Sequence, residues 1–492
     1  MTVAVVATRA NRGLDAPAVR VEVDLSNGLP AFNIVGMAET AVRESRDRVR
    51  SALLNCHFEF PDRRITVNLA PADLPKGGGR FDLPIALGIL IASGQLPQDS
   101  VTGCECLGEL ALDGSLRQVH GTLCAVMAAG DAGRKSILPA TSESFATIPG
   151  ASITLVRDLL HCCAVLRGRC EGEPLVEDSG SAPADLPDLA DVRGQLLGKR
   201  ALEIAATGGH HLLLEGPPGT GKSLLASCLP SLMPPPSESS SLLTKALYDL
   251  RGLRPPTARP FRAPHHSASA AALIGGGMHP LPGEISLAHG GVLFLDEMAE
   301  FSRHTLDMLR EPIERGEISL ARASGSIRYP AAFQLIAAMN PCPCGYAGDP
   351  GRACRCSTVD RQRYRARLSG PLLDRIDLRT TISREPVGDL LRYAESEPSS
   401  AVAQRVLDGM QKQIERGTPN SQLSGKELLA ACTLEKEERS FLEKAGDKLQ
   451  LSARAVHRTM RVARTIADLS DRDTVTRTDL SEALSFRGLP GG

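Results

Sequence analysis

The eight residues Gly216-Pro217-Pro218-Gly219-Thr220-Gly221-Lys222-Ser223 fit the pattern G-x-x-x-x-G-K-[ST]. Glycines in such a loop let backbone N–H groups turn inward around phosphate oxygens. A lysine at position 222 reaches the β- and γ-phosphates, and the Ser223 hydroxyl is offered to Mg²⁺. The chemistry also needs a carboxylate on the metal side, and Gly291-Val292-Leu293-Phe294-Leu295-Asp296-Glu297 supplies two. Asp296 is expected to hold Mg²⁺ and Glu297 to orient and polarise an attacking water, because phosphoryl transfer asks for an in-line nucleophile and charge neutralisation. Each motif alone has a plainer explanation, a glycine-rich turn or a buried strand ending in a solvated acidic pair. Together they support one another.

These residues need elements to hold them. His211 to Glu215 is a short apolar run that leads straight into the glycine loop, and Val292 to Leu295 are four apolar residues in a row. Such runs fit strands covered on both faces. A third run, Phe333 to Met339, ends at Asn340. An amide at the tip of a strand beside the other two lies near a γ-phosphate and can position water; it can equally cap the turn before Pro341.

Around these motifs the chain divides by composition. Residues 1–170 alternate strand-like runs (Val19 to Asp24, Ile65 to Leu69, Ser136 to Leu138) with helix-like ones (Thr40 to Leu54, Leu83 to Ser93, Thr122 to Gly130). Residues 171–191 carry seven acidic side chains, no basic one and three prolines, which predicts a linker. A second α/β stretch covers 192–384, and 385–492 is helical in pattern. In that last stretch Ala453 to Leu469 sets apolar residues at three-to-four spacing beside an arginine face.

Composition removes several classes of function. Lys+Arg 56 against Asp+Glu 57 leaves a net charge of −1, so any nucleic-acid contact must come from local placement. Aromatics are 3% with no Trp, which argues against base-stacking platforms and an aromatic membrane belt. The longest apolar stretch, Leu83 to Ala92, contains Pro84 and Gly88 and is too short to span a bilayer. The N-terminus lacks a basic start followed by a sustained apolar run, so the expectation is a cytoplasmic protein without membrane contact. Thirteen cysteines are then expected as reduced thiols. Cys342-Pro343-Cys344 and Cys354-Arg355-Cys356 put four of them on two short knuckles, enough to close a tetrahedron around Zn²⁺. Free thiols, a redox disulfide and an iron–sulfur cluster are the alternatives. Cys104 and Cys106 have no second pair at similar spacing and are expected in the core.

GPPGTGKS, GGVLFLDEM, LIAAMNPCPCG, SGPLLDRIDL and SARAVHRTMRVARTIADL, in this order, resemble the magnesium-chelatase-like AAA+ ATPases, and most closely the YifB/ComM family. The resemblance covers nearly the whole chain. It implies an α/β P-loop AAA+ core with a helical lid, preceded by a Lon-protease-like (ribosomal-protein-like α+β) domain. It further implies ATP and Mg²⁺ as ligands, Asn340 as sensor 1, Arg375 as an arginine finger given in trans to a neighbour, and Arg454 as sensor 2. A finger in trans requires a homo-oligomer, in this family usually a hexameric ring. The bland reading of both arginines is a surface ion pair worth little. The activity implied is a DNA motor like the branch-migration helicase of natural transformation and recombination. The alternative is a chelatase-type ATPase that remodels a protein partner.

Three further segments carry expectations. The stretch from Glu311 to Met339 reads as two strands meeting at Ala323-Ser324-Gly325. Related AAA+ helicases carry a pore-facing hairpin here, so Arg322 and Arg328 can contact phosphates of a single or branched DNA, or simply be solvated. Arg262 to Glu284 resembles the family's helix-2 insert, and its His265 and His266 are expected as loop residues. In the N-terminal segment, alignment with Lon-like proteases places Arg80 where the serine should be and Leu123 where the lysine should be. That pair cannot act as nucleophile and base, which disfavours a protease. Lys76 and Arg80, in a glycine-rich loop, are expected as phosphate contacts facing a pore.

Overall fold

The computed structural model describes residues 3–37, 39–140, 148–175, 186–277, 280–322, 325–385 and 396–487. The chain splits into two compact units, one formed by residues 1–182 with 242–255 and 321–328, the other by 183–241, 256–320 and 329–492.

Among the described residues, the N-terminal part of the first unit carries the strands β1 Ala4–Arg9, β2 Ala18–Ser26, β3 Ala31–Val35, β4 Arg64–Ala70, β5 Cys104–Cys106, β6 Glu109–Leu110, β7 Leu116–Arg117, β8 Lys135–Pro139 and β9 Ser152–Val156. Seven of them form one mixed sheet in the order β3-β4-β2-β1-β5-β8-β9. β2 runs antiparallel to both β1 and β4, whereas β3 with β4, β1 with β5, β5 with β8 and β8 with β9 pair in parallel. Alternation of Val19, Val21 and Val23 on β2 with exposed or half-exposed residues is the period-two signature of a strand with one buried face. The helix Asp82–Ala92, buried over most of its length, fills that face. Gly88 permits this approach, since a Cβ there would lie 2.5 Å from Val23 Cγ2. Cys106, Cys162 and Cys163 are buried in the same core, and burial pushes the Cys106 thiol up.

The second unit contains β10 Leu212–Glu215, β11 Phe261–Arg262, β12 Gly275–Gly276, β13 Leu281–Pro282, β14 Val292–Leu295, β17 Gln334–Met339 and β18 Leu378–Thr381; in the chain between β14 and β17, β15 Glu317–Arg322 and β16 Gly325–Pro330 form a separate two-stranded ribbon, of which residues 321–328 are counted with the first unit. The main sheet is parallel throughout, in the order β11-β14-β17-β10-β18. Its central strands are buried on both faces, as a parallel sheet with helices on each side requires. Register then decides function: Glu215 pairs with Met339, and Leu295 with Ala337, so the residues following β10, β14 and β17 all leave the sheet at one edge. This carboxyl edge is where open α/β sheets bind ligands.

The expected strand Phe333 to Met339 begins one residue later, and Ala453–Leu469 is a helix over the expected span, started by Ser452 Oγ accepting the Ala455 N–H at 3.2 Å. The helices Ser399–Arg416, Ala453–Leu469 and Arg477–Ser485 bury their apolar faces in the same core as the sheet. Of the linker at 171–191, residues 176–185 lie outside the described residues, while Leu189–Asp191 is a helical turn with Leu189 buried.

Candidate nucleotide site

The loop after β10 begins at Gly216, whose N–H donates to Met339 O at 3.1 Å. A Cβ at Gly216 would stand 2.2 Å from Ile382 O, so a side chain here would part the loop from the strand beside it. Gly219 and Gly221 take φ of +75° and +84°, the left-handed region that turns successive N–H groups into a concave nest. Gly221 then caps the helix Lys222–Ser227. The Lys222 ammonium folds back over the loop and donates to Gly216 O at 2.7 Å, Pro217 O at 2.8 Å and Asn340 Oδ1 at 3.3 Å. Burial pulls its pKa down, against the charges of Asp296 and Glu297.

The three motifs meet in one cavity of about 460 Å³, lined by the loop from Pro218 to Leu224 with Asp296, Glu297, Met339 and Asn340. Ser223 Oγ donates to Asp296 Oδ2 at 2.7 Å, and the Glu297 N–H donates to Asp296 Oδ1 at 2.9 Å. Glu297 itself is at φ +49°, a strained position for a non-glycine residue, and starts the turn Met298–Glu300. A hydroxyl and a carboxylate at hydrogen-bond distance, with an ammonium and an amide across the cavity, fit a triphosphate with its divalent cation.

Two neighbours of this cavity carry no signal in spacing or motif. His266, expected only as a loop residue, holds its Nδ1 3.5 Å from Glu297 Oε2, with the His265 ring 4.1 Å away. The insert that carries it is anchored by the pair of Arg262 with Glu284 at 2.7 and 2.9 Å. Tyr364, in the helix Thr358–Arg365, accepts the backbone N–H of Asn340; burial raises its phenol to about 12.

The two arginines of the resemblance lie away from the cavity lining. Arg375 is tied to Glu314 and donates to Pro371 O at 2.5 Å, with its side chain 10% exposed. Arg454 is exposed in the first turn of Ala453–Leu469. The residue one turn on, Arg458, instead reaches Asp377 at 3.7 Å.

The four cysteines after Asn340 come together. Sulfur–sulfur distances are 3.4 Å for Cys342 and Cys344 and 3.6 Å for Cys354 to each of them, and all four sulfurs lie within 4.8 Å of one another. A tetrahedron with Zn–S bonds of about 2.3 Å has edges of about 3.8 Å, close to these values and far from a disulfide bond. Backbone N–H groups complete the surroundings. Those of Arg355 and Tyr346 pull the Cys344 thiol down to about 6, and the Cys344 N–H donates to Cys356 Sγ at 3.4 Å, although at Cys354 and Cys356 the backbone donors are outweighed by burial and the neighbouring thiols, which push both up. Such donors favour the thiolate that a metal needs.

Comparison with known proteins assigns the chain. The model of the family "Magnesium chelatase, subunit ChlI" matches residues 188–390, that of its C-terminal part 396–487, and that of "Subunit ChlI of Mg-chelatase" 21–142. The chain is 48% identical over 497 residues to YifB of Salmonella typhimurium, covering 99% of this chain and 98% of that one. It is 47% identical over 503 residues, with the same coverage, to a protein of Haemophilus influenzae named competence protein ComM. The chain belongs to the YifB/ComM family of magnesium-chelatase-like proteins. A shorter match, 29% identity over 144 residues, joins it to Lon protease 2 of Bacillus subtilis, covering 27% of this chain and 26% of that one.

Outside the cavity this YifB/ComM chain departs from expectation. Arg80 and Lys76 do not face solvent. Arg80 is 3% exposed and donates to Arg9 O at 3.4 Å and to His120 O, and burial lowers its guanidinium to about 10. Lys76 is fully buried and donates to Pro71 O. Both cations satisfy carbonyls inside the first unit, so their expected role as phosphate contacts is overturned. A glycine-rich loop with two cations has the composition of a phosphate loop, but here the glycines let it fold inward. Leu123 is also buried, its N–H donating to Asp249 Oδ2 at 2.7 Å. On the ribbon Arg328 is exposed, whereas the turn residues Ala323 and Ser324 and the Arg322 side chain lie outside the described residues. No helix among the described residues is long and apolar enough to cross a membrane.

Proposed function

We propose that this protein hydrolyses ATP and uses the energy to move on DNA, as a cytoplasmic homo-oligomeric ring, with six subunits as in related AAA+ motors. The observation that carries the ATPase reading is the convergence of Lys222, Ser223, Asp296, Glu297 and Asn340 on one cavity at the carboxyl edge of a parallel sheet. In this reading the N–H groups of Gly216 to Gly221 cradle the phosphates. Lys222 leaves the carbonyls of Gly216 and Pro217 for the β- and γ-phosphates. Ser223 and Asp296 would hold Mg²⁺, which would supply charge neutralisation. Glu297 orients and polarises the attacking water, and Asn340 fixes its position. Arg375 exchanges Glu314 for a neighbouring subunit's γ-phosphate, and Arg454 closes on the nucleotide from the C-terminal helices, which act as the lid.

The DNA reading is supported by the near full-length likeness to a protein named for competence, and by the exposed Arg328 on a ribbon of the kind that lines pores. The likeness to Lon protease 2 supports a Lon-like N-terminal region, and we read it as a scaffold, on the sequence reading that sets Arg80 and Leu123 at the positions where a protease needs serine and lysine. A chelatase-like remodelling ATPase is the second reading, favoured by the three family models. The sulfur tetrahedron of Cys342, Cys344, Cys354 and Cys356 is read as a structural zinc site.

The test compares ATP turnover alone, with single-stranded DNA and with forked DNA, using Lys222→Ala and Glu297→Gln as inactive controls. DNA-stimulated turnover is expected. Turnover that DNA neither stimulates nor binds at low salt removes the motor reading and leaves the ATPase.

A further inference from the structure

We infer that the four-cysteine knot sets the geometry of the phosphate loop, so that metal occupancy of the knot governs the rate of ATP hydrolysis. The inference rests on the zinc and ATPase readings above and adds a regulatory link between them.

Three contacts carry it. First, only Pro341 separates Asn340, at the tip of β17, from Cys342, so the sensor amide and the first sulfur share one short rigid segment. Second, the knuckle rests directly on the phosphate loop. Gly345 sits at φ +85°, and a Cβ there would lie 2.7 Å from Pro218 Cδ, with Asn340 Cγ at 3.8 Å. The knuckle backbone is therefore packed against the ring that precedes Gly219. Third, the chain leaving the knot returns to the same place. Ser357, next to Cys356, caps the helix Thr358–Arg365 through a reciprocal box with Asp360. That helix carries Tyr364, the acceptor of the Asn340 N–H, and Arg365, 3.4 Å from Glu215 at the end of β10.

A loop pinned at Asn340, at Pro218 and at Glu215 is stiff only if its middle is closed. Residues 342–356 form no regular helix or strand, and their sulfurs point at one another. A thiophilic divalent ion closes that segment through four bonds. In its absence the backbone N–H···S contacts remain, and these are weak. Loss of the ion frees the knuckle, lets Pro218 and Asn340 shift, and misplaces the groups that hold the phosphates and the water. Misplacement by about 1 Å is enough to cost on the order of 10²-fold in rate.

The experiment uses the full-length, freshly reduced protein and reads bound zinc, thermal melting, kcat and KM for ATP. Wild type is expected to hold one zinc per chain. The Cys354→Ser variant is expected to lose it and to fall at least about tenfold in kcat, the usual scale for groups that support a site. Because that variant can fail to fold, Gly345→Ala provides a second arm that leaves all four sulfurs in place. It should keep zinc at the wild-type ratio, melt as a folded protein and lose at least about fivefold in kcat, with Pro218→Ala in the same chain restoring part of it. Zinc-free protein that turns over ATP at the wild-type rate, or Gly345→Ala with unchanged kcat, overturns the inference. A Gly345→Ala defect that Pro218→Ala does not relieve assigns the loss to backbone strain and overturns it as well. Wild type without bound metal overturns the zinc reading and this inference with it, whereas zinc-replete wild type without ATP turnover overturns the ATPase reading.

Discussion

Ser223 Oγ donates to Asp296 Oδ2 at 2.7 Å, joining the first turn of the helix after the phosphate loop to the tip of the neighbouring strand but one. The bond exists because β14 and β10 flank β17 in parallel register, which brings both side chains to one edge. Asp296→Asn keeps the hydrogen bond but removes the charge. It is expected to lower kcat by about 10²-fold or more, the scale for losing one preorganised electrostatic group. Steady-state turnover against Mg²⁺ concentration checks this, and turnover within threefold of wild type at saturating Mg²⁺ would count against Asp296 as the metal ligand.

His266 faces Glu297 across 3.5 Å, and both side chains are partly exposed. An exposed pair of this kind is worth at most about 1 kcal/mol, so His266→Ala should change kcat by no more than about fivefold. KM for ATP should stay constant if the histidine acts only on the carboxylate that handles water. A change in KM without one in kcat would place His266 in nucleotide binding instead.

Glu297 ends a motif written in local residue chemistry, whereas its partner His266 is brought to it by the fold. Strand, loop and helix around Gly216 to Ser223 were legible because each residue type is dictated by local chemistry: glycines for positive φ, apolar runs for a sheet covered on both faces. Asn340 was half legible, as a polar residue ending an apolar run. His266 and Tyr364 meet Glu297 and Asn340 through tertiary packing of an insert and a capped helix, and no spacing encodes that. Lys76 and Arg80 misled for the same reason: composition shows two cations in a glycine-rich loop, and only packing shows that the loop folds inward around carbonyl acceptors.

Asp377 lies at the opposite end of the sheet from the cavity, 5% exposed, with His210 Nδ1 at 3.2 Å and Arg458 at 3.7 Å. Burial pushes its carboxyl up, but the bond from His210 and the nearby positive charges override this and hold it at about 2. A carboxyl depressed in the folded state contributes stability that is fully present above its unfolded value of about 4 and is lost as pH falls towards 2. Asp377→Asn should therefore destabilise by roughly 3 kcal/mol at pH 7, where a buried cation loses its partner, and by much less at pH 2. Denaturant melts at the two pH values measure the difference, and an equal loss at both would exclude the charge as its cause.

Arg80 and Arg328 separate stability from DNA contact. Arg80 is buried with carbonyl acceptors on Arg9 and His120, so Arg80→Ala leaves those carbonyls without their donor in a closed interior. A loss of about 2–4 kcal/mol in stability is expected, with no change in the salt dependence of DNA binding. Arg328 is exposed on β16 and carries little folding energy. Arg328→Ala should leave the melting temperature within about a degree, since surface changes stay near ±0.5 kcal/mol, while weakening DNA binding across sequences and lowering the salt slope by about 1. Fluorescence anisotropy over a salt series, beside thermal melts of both variants, gives the four numbers. If Arg80→Ala lowered the salt slope while Arg328→Ala left it unchanged, the phosphate contacts would lie in the N-terminal region after all, and the ribbon would be a solvated surface.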